Sequence, residues 1–129
     1  MEKRGSIRFI SGHESNEGVE FEIKERTLII YMKEDLDHHN AIYIREQADK
    51  KLVNKNIQNV IFDFSHVTFM DSSGIGVILG RYKKLRMLGS GKLMVTGVSD
   101  CVNRILTISG LYSIIEKYKD IKEAIAHIN

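Results

Sequence analysis

Val60-Ile61-Phe62-Asp63-Phe64, followed by Met70-Asp71-Ser72-Ser73-Gly74-Ile75-Gly76, is the stretch on which the fold turns. The first run is apolar, short and bounded by polar residues, which predicts a buried central strand rather than a helix. Beyond it, Ile75, Ile78, Leu79, Tyr82, Leu85 and Leu88 fall on one helical face. Arg81, Lys83, Lys84 and Arg86 fall mostly on the other and read as a solvated face. Tyr82 apart, which falls on the apolar face, no aromatic residue interleaves with these cations, and a solvated face rather than a nucleic-acid surface is expected. Gly89-Ser90-Gly91 ends the helix. A central strand thus passes directly into a helix, with Ser72 at the junction.

Working outward, Lys92 to Gly97 predicts another strand. Ser99 is placed to cap a helix that turns Val102, Ile105 and Leu106 inward and closes at Gly110. Ile114-Ile115 predicts a short edge strand. Asp120 with Glu123 forms a capping-box variant, and Ile121, Ala124, Ile125 and Ile128 make the stripe of a last helix. Toward the N-terminus, Asp37 is placed to cap a helix with Ala41, Ile44, Ala48 and Leu52 on one face, ending by Asn54. Thr27 to Met32 is β-branched and apolar, and Val19, Phe21 and Ile23 alternate with Glu20, Glu22 and Lys24. Joined by Glu25-Arg26, these two strands predict an antiparallel hairpin. Met1 to Gly18 carries only Ile7, Phe9 and Ile10 as larger hydrophobes and reads as a tail, leaving one domain over 19–129. The expected class is α/β: a mostly parallel central sheet of four to five strands, an N-terminal antiparallel hairpin and about four helices.

Composition narrows the function. The 129 residues include 19 basic and 17 acidic side chains, for a formal net charge of +2. That balance points to neither nucleic acid nor an anionic membrane. The single cysteine, Cys101, excludes an intrachain disulfide and a cysteine-only metal site. Met1-Glu2-Lys3-Arg4 leads into mixed polar sequence rather than an apolar run, so no signal peptide is expected. No stretch approaches the roughly 18 apolar residues of a membrane span. A cytoplasmic protein without metal or cofactor is expected. His38 and His39 are adjacent and would point about 100° apart on a helix, a poor pair for one metal. Gly74, Gly76 and Gly80 miss the dinucleotide spacing, and no phosphate-loop lysine follows them. Ser72 lacks the Gly-x-Ser-x-Gly elbow of serine hydrolases.

Asp71-Ser72-Ser73-Gly74 remains as the chemically distinctive segment. The first backbone N–H groups of a helix lack intrahelical partners and carry partial positive charge. A phosphate on Ser72 would therefore be accepted there without unfolding the domain. Helix capping explains the same residues equally well. Gly74 and Gly76 nevertheless lower helix propensity by about 1 kcal/mol each relative to alanine, and that cost calls for close packing or close approach of a partner. By pattern alone both readings stay open.

Phe69 to Lys83 as a whole resembles the core motif of the anti-sigma factor antagonists, members of the sulphate-transporter and anti-sigma-antagonist (STAS) domain family. The likeness is to the sporulation-type antagonists of spore-forming Gram-positive bacteria. Leu36-Asp37-His38-His39 and Ser109-Gly110-Leu111 resemble two further signatures, and the likeness runs from about Val19 to the C-terminus. The resemblance implies a binding protein rather than an enzyme. Its partner would be an anti-sigma factor that is also a serine kinase, and binding would free a sigma factor. The kinase would phosphorylate Ser72, the serine after the motif aspartate, and a phosphatase would reset it. Asp35, Leu36, Asp37, His38, Asp71, Ser73, Gly74, Ile75 and Gly76 would form the partner-binding surface. Glu34 departs from the family, which usually has glycine there. The alternatives are an unphosphorylated adaptor or sensor of the same fold, or a small α/β hydrolase using Ser72 with His66 or His38.

Overall fold

Alternation of apolar and polar residues builds the hairpin, and unbroken apolar runs build the strands beside it. The computed structural model describes residues 13–16, 18–89 and 91–128. In chain order the elements are β1 (His13–Asn16), β2 (Val19–Lys24), β3 (Thr27–Met32), α1 (His38–Asn54), β4 (Asn59–Asp63), α2 (Ser72–Leu88), β5 (Leu93–Thr96), α3 (Asp100–Ile108), a 3-10 turn (Leu111–Ser113), β6 (Glu116–Tyr118) and α4 (Ile121–Ala126). The strands lie in one sheet in the order β1-β2-β3-β4-β5-β6. β2 is antiparallel to both β1 and β3, and β3 to β6 are parallel. Val19 pairs with Met32 and Lys24 with Thr27, so Glu25 and Arg26 alone make the turn, with Glu25 at a φ of 56°.

The period of two sorts the strand side chains onto two faces. Phe21, Leu28, Ile30, Phe62 and Val95 point into the main core, which α1, α2 and α3 close with Ile44, Leu52, Ile78, Leu85, Val102 and Leu106. Ile29, Ile61 and Met94 point the other way, under Ile121, Ala124 and Ile125 of α4 and Ile128 just beyond it. Every residue of β4 is buried because both of its faces are covered. The helices cap as their sequences predict: Asp37, Ser99 and Asp120 each accept a backbone N–H of the following turn. Among the described residues no helix is long and apolar enough to cross a membrane.

Four features differ from the sequence reading. First, the sheet has six strands, because His13–Asn16 of the stretch read as a tail pairs with β2. That segment shows no apolar alternation, and a backbone ladder places it. Ile7, Phe9 and Ile10 lie outside the described residues, as does Ser90. Second, the last strand begins one residue after Ile115, at Glu116, and runs parallel to Met94–Thr96. Ile115 is itself buried in the main core, and the edge strand that follows is polar. Third, Arg81 is buried at 4% exposure rather than solvated. Its Nε lies 2.8 Å from Asp49 Oδ1 of α1, and Nη1 donates to the Val77 carbonyl at 3.3 Å. Burial pulls its guanidinium below the ordinary value and Asp49 pulls it back. The flank of α2 that carries Arg81 faces α1, and a single helix cannot reveal that contact. Fourth, Leu88, read as part of the core face, is half exposed in the last turn of α2.

Removing one partner of this charge pair leaves the other poorly solvated between two helices. Arg81→Ala should lower stability by about 1–3 kcal/mol, whereas Lys83→Ala on the exposed side should stay within about 0.5 kcal/mol of the parent. Urea midpoints compared at constant slope check this, and equal midpoints for the two variants would refute it.

Candidate functional site

Ser72 owes its position to its neighbour. Asp71 is extended (φ −99°, ψ −169°) and is the cap of α2; its carboxylate accepts from the Ser73 amide at 2.8 Å. Ser72 is therefore the first helical residue. It is exposed, and its hydroxyl is not the cap. The capping explanation thus belongs to Asp71, and the serine's side chain is left over.

The parallel pair β3 and β4 continues past its regular ends. Leu36 and Met70 form an isolated parallel bridge, and the Asp71 amide donates to the Leu36 carbonyl at 3.4 Å. Both side chains are buried at 1% exposure. This brings the entry of α1 beside the entry of α2. At the α1 entry, the Asn40 amide donates to Asp37 Oδ1 and the Asp37 amide donates to Asn40 Oδ1, both at 3.0 Å. Asn40 Nδ2 donates to the Asp35 carbonyl at 2.9 Å. The Asp35 carboxylate turns to the other loop: Oδ1 accepts from the amides of Thr68 at 2.7 Å and Phe69 at 3.2 Å, and from the Thr68 hydroxyl at 3.0 Å. The Thr68 amide, then the Phe69 amide and the Thr68 hydroxyl, hold this carboxyl below the usual carboxylate range.

The two glycines of the motif have different tasks. A Cβ on Gly74 would lie 2.8 Å from Met70 Sδ and 3.0 Å from Leu36 Cδ2, so the helix can approach the bridge only without one. A Cβ on Gly76 would meet nothing within 4 Å. Gly76 instead opens onto a groove of about 210 Å³ between the first turns of α1 and α2, lined by His38, Ala41, Ile42, Arg45, Ser73 and Val77 as well. Ile42 in this lining is 39% exposed, and Phe69, two residues before the cap Asp71, is 54% exposed.

The nine residues expected at a partner surface therefore separate. His38, Ser73 and Gly76 line the groove. Asp37 and Asp71 cap the helices. Leu36 and Gly74 lie beneath the surface, and Ile75 is half-buried against the core rather than left as an exposed contact. The carboxylate of Asp35 is engaged within the fold. Ile42, Arg45 and Phe69 were not singled out as site residues. Ile42 could have been found as an apolar residue off the inward stripe of α1. Among the described residues no three His, Cys, Asp or Glu side chains are placed to hold a metal ion.

The profile of the STAS domain family matches residues 18–124. The chain belongs to the STAS domain family. Over 110 residues it is 34% identical to the anti-sigma F factor antagonist of Paenibacillus polymyxa, covering 85% of this chain and 93% of that one. The STAS domain superposes on the anti-sigma factor antagonist SpoIIAA in its unphosphorylated form with a TM-score of 0.77 at 28% identity, covering 85% of this chain and 95% of the other. It also superposes on the Bacillus cell fate determinant SpoIIAA in its phosphorylated form, with a TM-score of 0.71 at 27% identity and coverage of 86% and 99%. The family match begins after β1, which precedes the shared STAS sheet.

The glycines give a paired test of this geometry. Overpacking at Gly74→Ala costs about 1–3 kcal/mol, offset by about 1 kcal/mol of helix propensity. Gly76→Ala has only the propensity gain. Thermal or urea unfolding should place Gly76→Ala at or above the parent and Gly74→Ala clearly below Gly76→Ala. The reverse order would contradict the close packing at the bridge.

Proposed function

We propose that this STAS domain is an anti-sigma factor antagonist, switched off by phosphorylation of Ser72. It binds an anti-sigma factor that is also a serine kinase and so releases a sigma factor for transcription, in sporulation or a related programme. The domain acts in the cytoplasm as substrate and switch rather than as an enzyme, and a phosphatase resets it. Nucleotide and its metal belong to the kinase.

One observation carries this reading: Ser72 is exposed at the first position of a helix whose cap is supplied by the residue before it. The hydroxyl is not used as the cap, and a phosphate added to it sits at the positive end of α2, where the Ser73 and Gly74 amides already donate to Asp71. Similarity to an antagonist solved in both phosphorylated and unphosphorylated forms supports the same role. The groove between α1 and α2, lined by Ala41, Ile42 and Val77 with His38 and Arg45, supplies an apolar and partly basic contact surface. Leu36, Asp71, Gly74 and Ile75 serve that surface from beneath.

The switch has adequate magnitude. Phosphorylation adds about −1.5 to −2 charges. Two unit charges about 6 Å apart repel by roughly 3 kcal/mol at an effective dielectric of 20, which is about a hundredfold in affinity. An apolar contact over Phe69 or Ile42 adds the cost of stripping water from the phosphate.

Intact mass after incubation with ATP and the anti-sigma factor kinase tests the proposal, run beside Ser72→Ala. The parent should gain one phosphate, Ser72→Ala should gain none and still bind, and the phosphorylated form should bind about a hundredfold more weakly. Binding without any mass gain would make the domain an unphosphorylated adaptor. Labelling of Ser72 by an acylating probe without any partner would favour a hydrolase instead.

A further inference from the structure

We propose that Asp35 is a positioning residue for Ser72: its carboxylate clamps the turn at Thr68 and Phe69 and so fixes the segment that presents the serine to a kinase. The inference rests on the phosphorylation of Ser72 proposed above. It removes Asp35 from the partner-contact surface to which sequence likeness assigns it.

The geometry is specific to a clamp. Asp35 lies in the exposed connection between β3 and α1, where a carboxylate is free to face water. It instead accepts from three donors on a loop 33 and 34 residues further along the chain. Those donors are the Thr68 amide and hydroxyl and the Phe69 amide, directly before Met70 and Asp71. Val67 and Met70 are buried, whereas Thr68 and Phe69 are exposed between them. Apolar packing therefore anchors the two ends of this turn and leaves its middle to the carboxylate. Hydrogen bonds to an ionised acceptor are the stronger kind, and two backbone amides on one oxygen fix the direction of the Phe69 peptide. Asp71, two residues further on, then stays in place as the cap that accepts from Ser73.

The clamp is itself held in place. The Asp35 carbonyl accepts from Asn40 Nδ2, which belongs to the capping box of α1. On the other side, the Lys33 amide donates to the Gly18 carbonyl at 2.8 Å. The Glu34 side chain lies against Gly18, where a Cβ would fall 2.8 Å from its Cδ. Glu34, the departure from the family glycine, is thus taken up by the turn between β1 and β2. Asp35 stands on a short segment tied to β2 before it and to α1 after it, and it transmits that fixed geometry to the entry of α2.

Asp35→Ala and Asp35→Asn separate this role from a direct partner contact. Amide exchange of Thr68 and Phe69 is followed by NMR in the free protein, and kcat and KM are measured for phosphorylation of Ser72 by the anti-sigma factor kinase with ATP. In Asp35→Ala the Thr68 and Phe69 amides should exchange about tenfold faster while core amides such as Phe62 are unchanged. The value of kcat should fall by about tenfold to a hundredfold, with KM moved less. Asp35→Asn keeps a carbonyl acceptor and should recover part of both effects. Unchanged exchange at Thr68 and Phe69 would overturn the clamp. Faster exchange with unchanged kcat would overturn the positioning role, and a raised KM with unchanged exchange would make Asp35 a partner contact after all. A parent protein that gains no phosphate would remove the Ser72 reading itself. The exchange data need no partner and would tell that failure apart from failure of the clamp.

Discussion

The parallel bridge between Leu36 and Met70 is the contact on which the functional end of this molecule depends. β3 and β4 are paired along their length, and the bridge carries that pairing beyond the sheet into the two connections that follow. Because both side chains are buried, the connections cannot slide past one another without exposing apolar surface. α1 and α2 consequently begin side by side. A groove forms between their first turns, lined in part by Ser73, the residue after Ser72. Gly74 belongs to the same contact, since a Cβ there would press on Met70 Sδ and Leu36 Cδ2.

Around this apolar bridge the polar groups divide the work. Asp37 and Asp71 satisfy backbone donors at the two helix starts. Asp35 spans from one connection to the other. Further along, Arg81 and Asp49 join α1 to α2 through a largely buried charge pair. The three aspartates satisfy backbone donors at exposed connections, and Asp49 partners a guanidinium that would otherwise be buried without a counter-charge. They also set geometry that apolar packing, being non-directional, leaves loose. The result is a rigid frame with one exposed hydroxyl that none of it uses as a cap. The proposed switch requires that combination, because a phosphate added at Ser72 would have to change what a partner meets without unfolding the domain that carries it.

Much of the fold was legible in the sequence because it is written in local patterns. The stripe Ala41, Ile44, Ala48 and Leu52, the caps Asp37, Ser99 and Asp120, and the apolar run from Val60 each depend on residues within one or two turns. The core motif from Phe69 to Lys83 placed Ser72 at a strand-to-helix junction for the same reason. Less was legible where a backbone ladder or a distant side chain decides. β1 has a polar sequence and is placed by pairing with β2. Arg81 carries the same charge as Lys83 but lies on the flank that meets α1. Gly74 and Gly76 look alike in the chain, and only the packing beneath one and the open groove beside the other separate them.

The sequence by itself determined the order and type of most elements, the parallel core with its antiparallel start, and the serine at the head of α2. Those follow from periodicity and capping, which act over a few residues. Tertiary structure alone decided which expected site residues reach the surface, which of them pack beneath it, and that the exposed carboxylate of Asp35 bonds across to Thr68 and Phe69. Each of those outcomes depends on residues more than thirty positions apart meeting across two connections. The energy of such a contact depends on three-dimensional proximity, which no local pattern in the chain encodes.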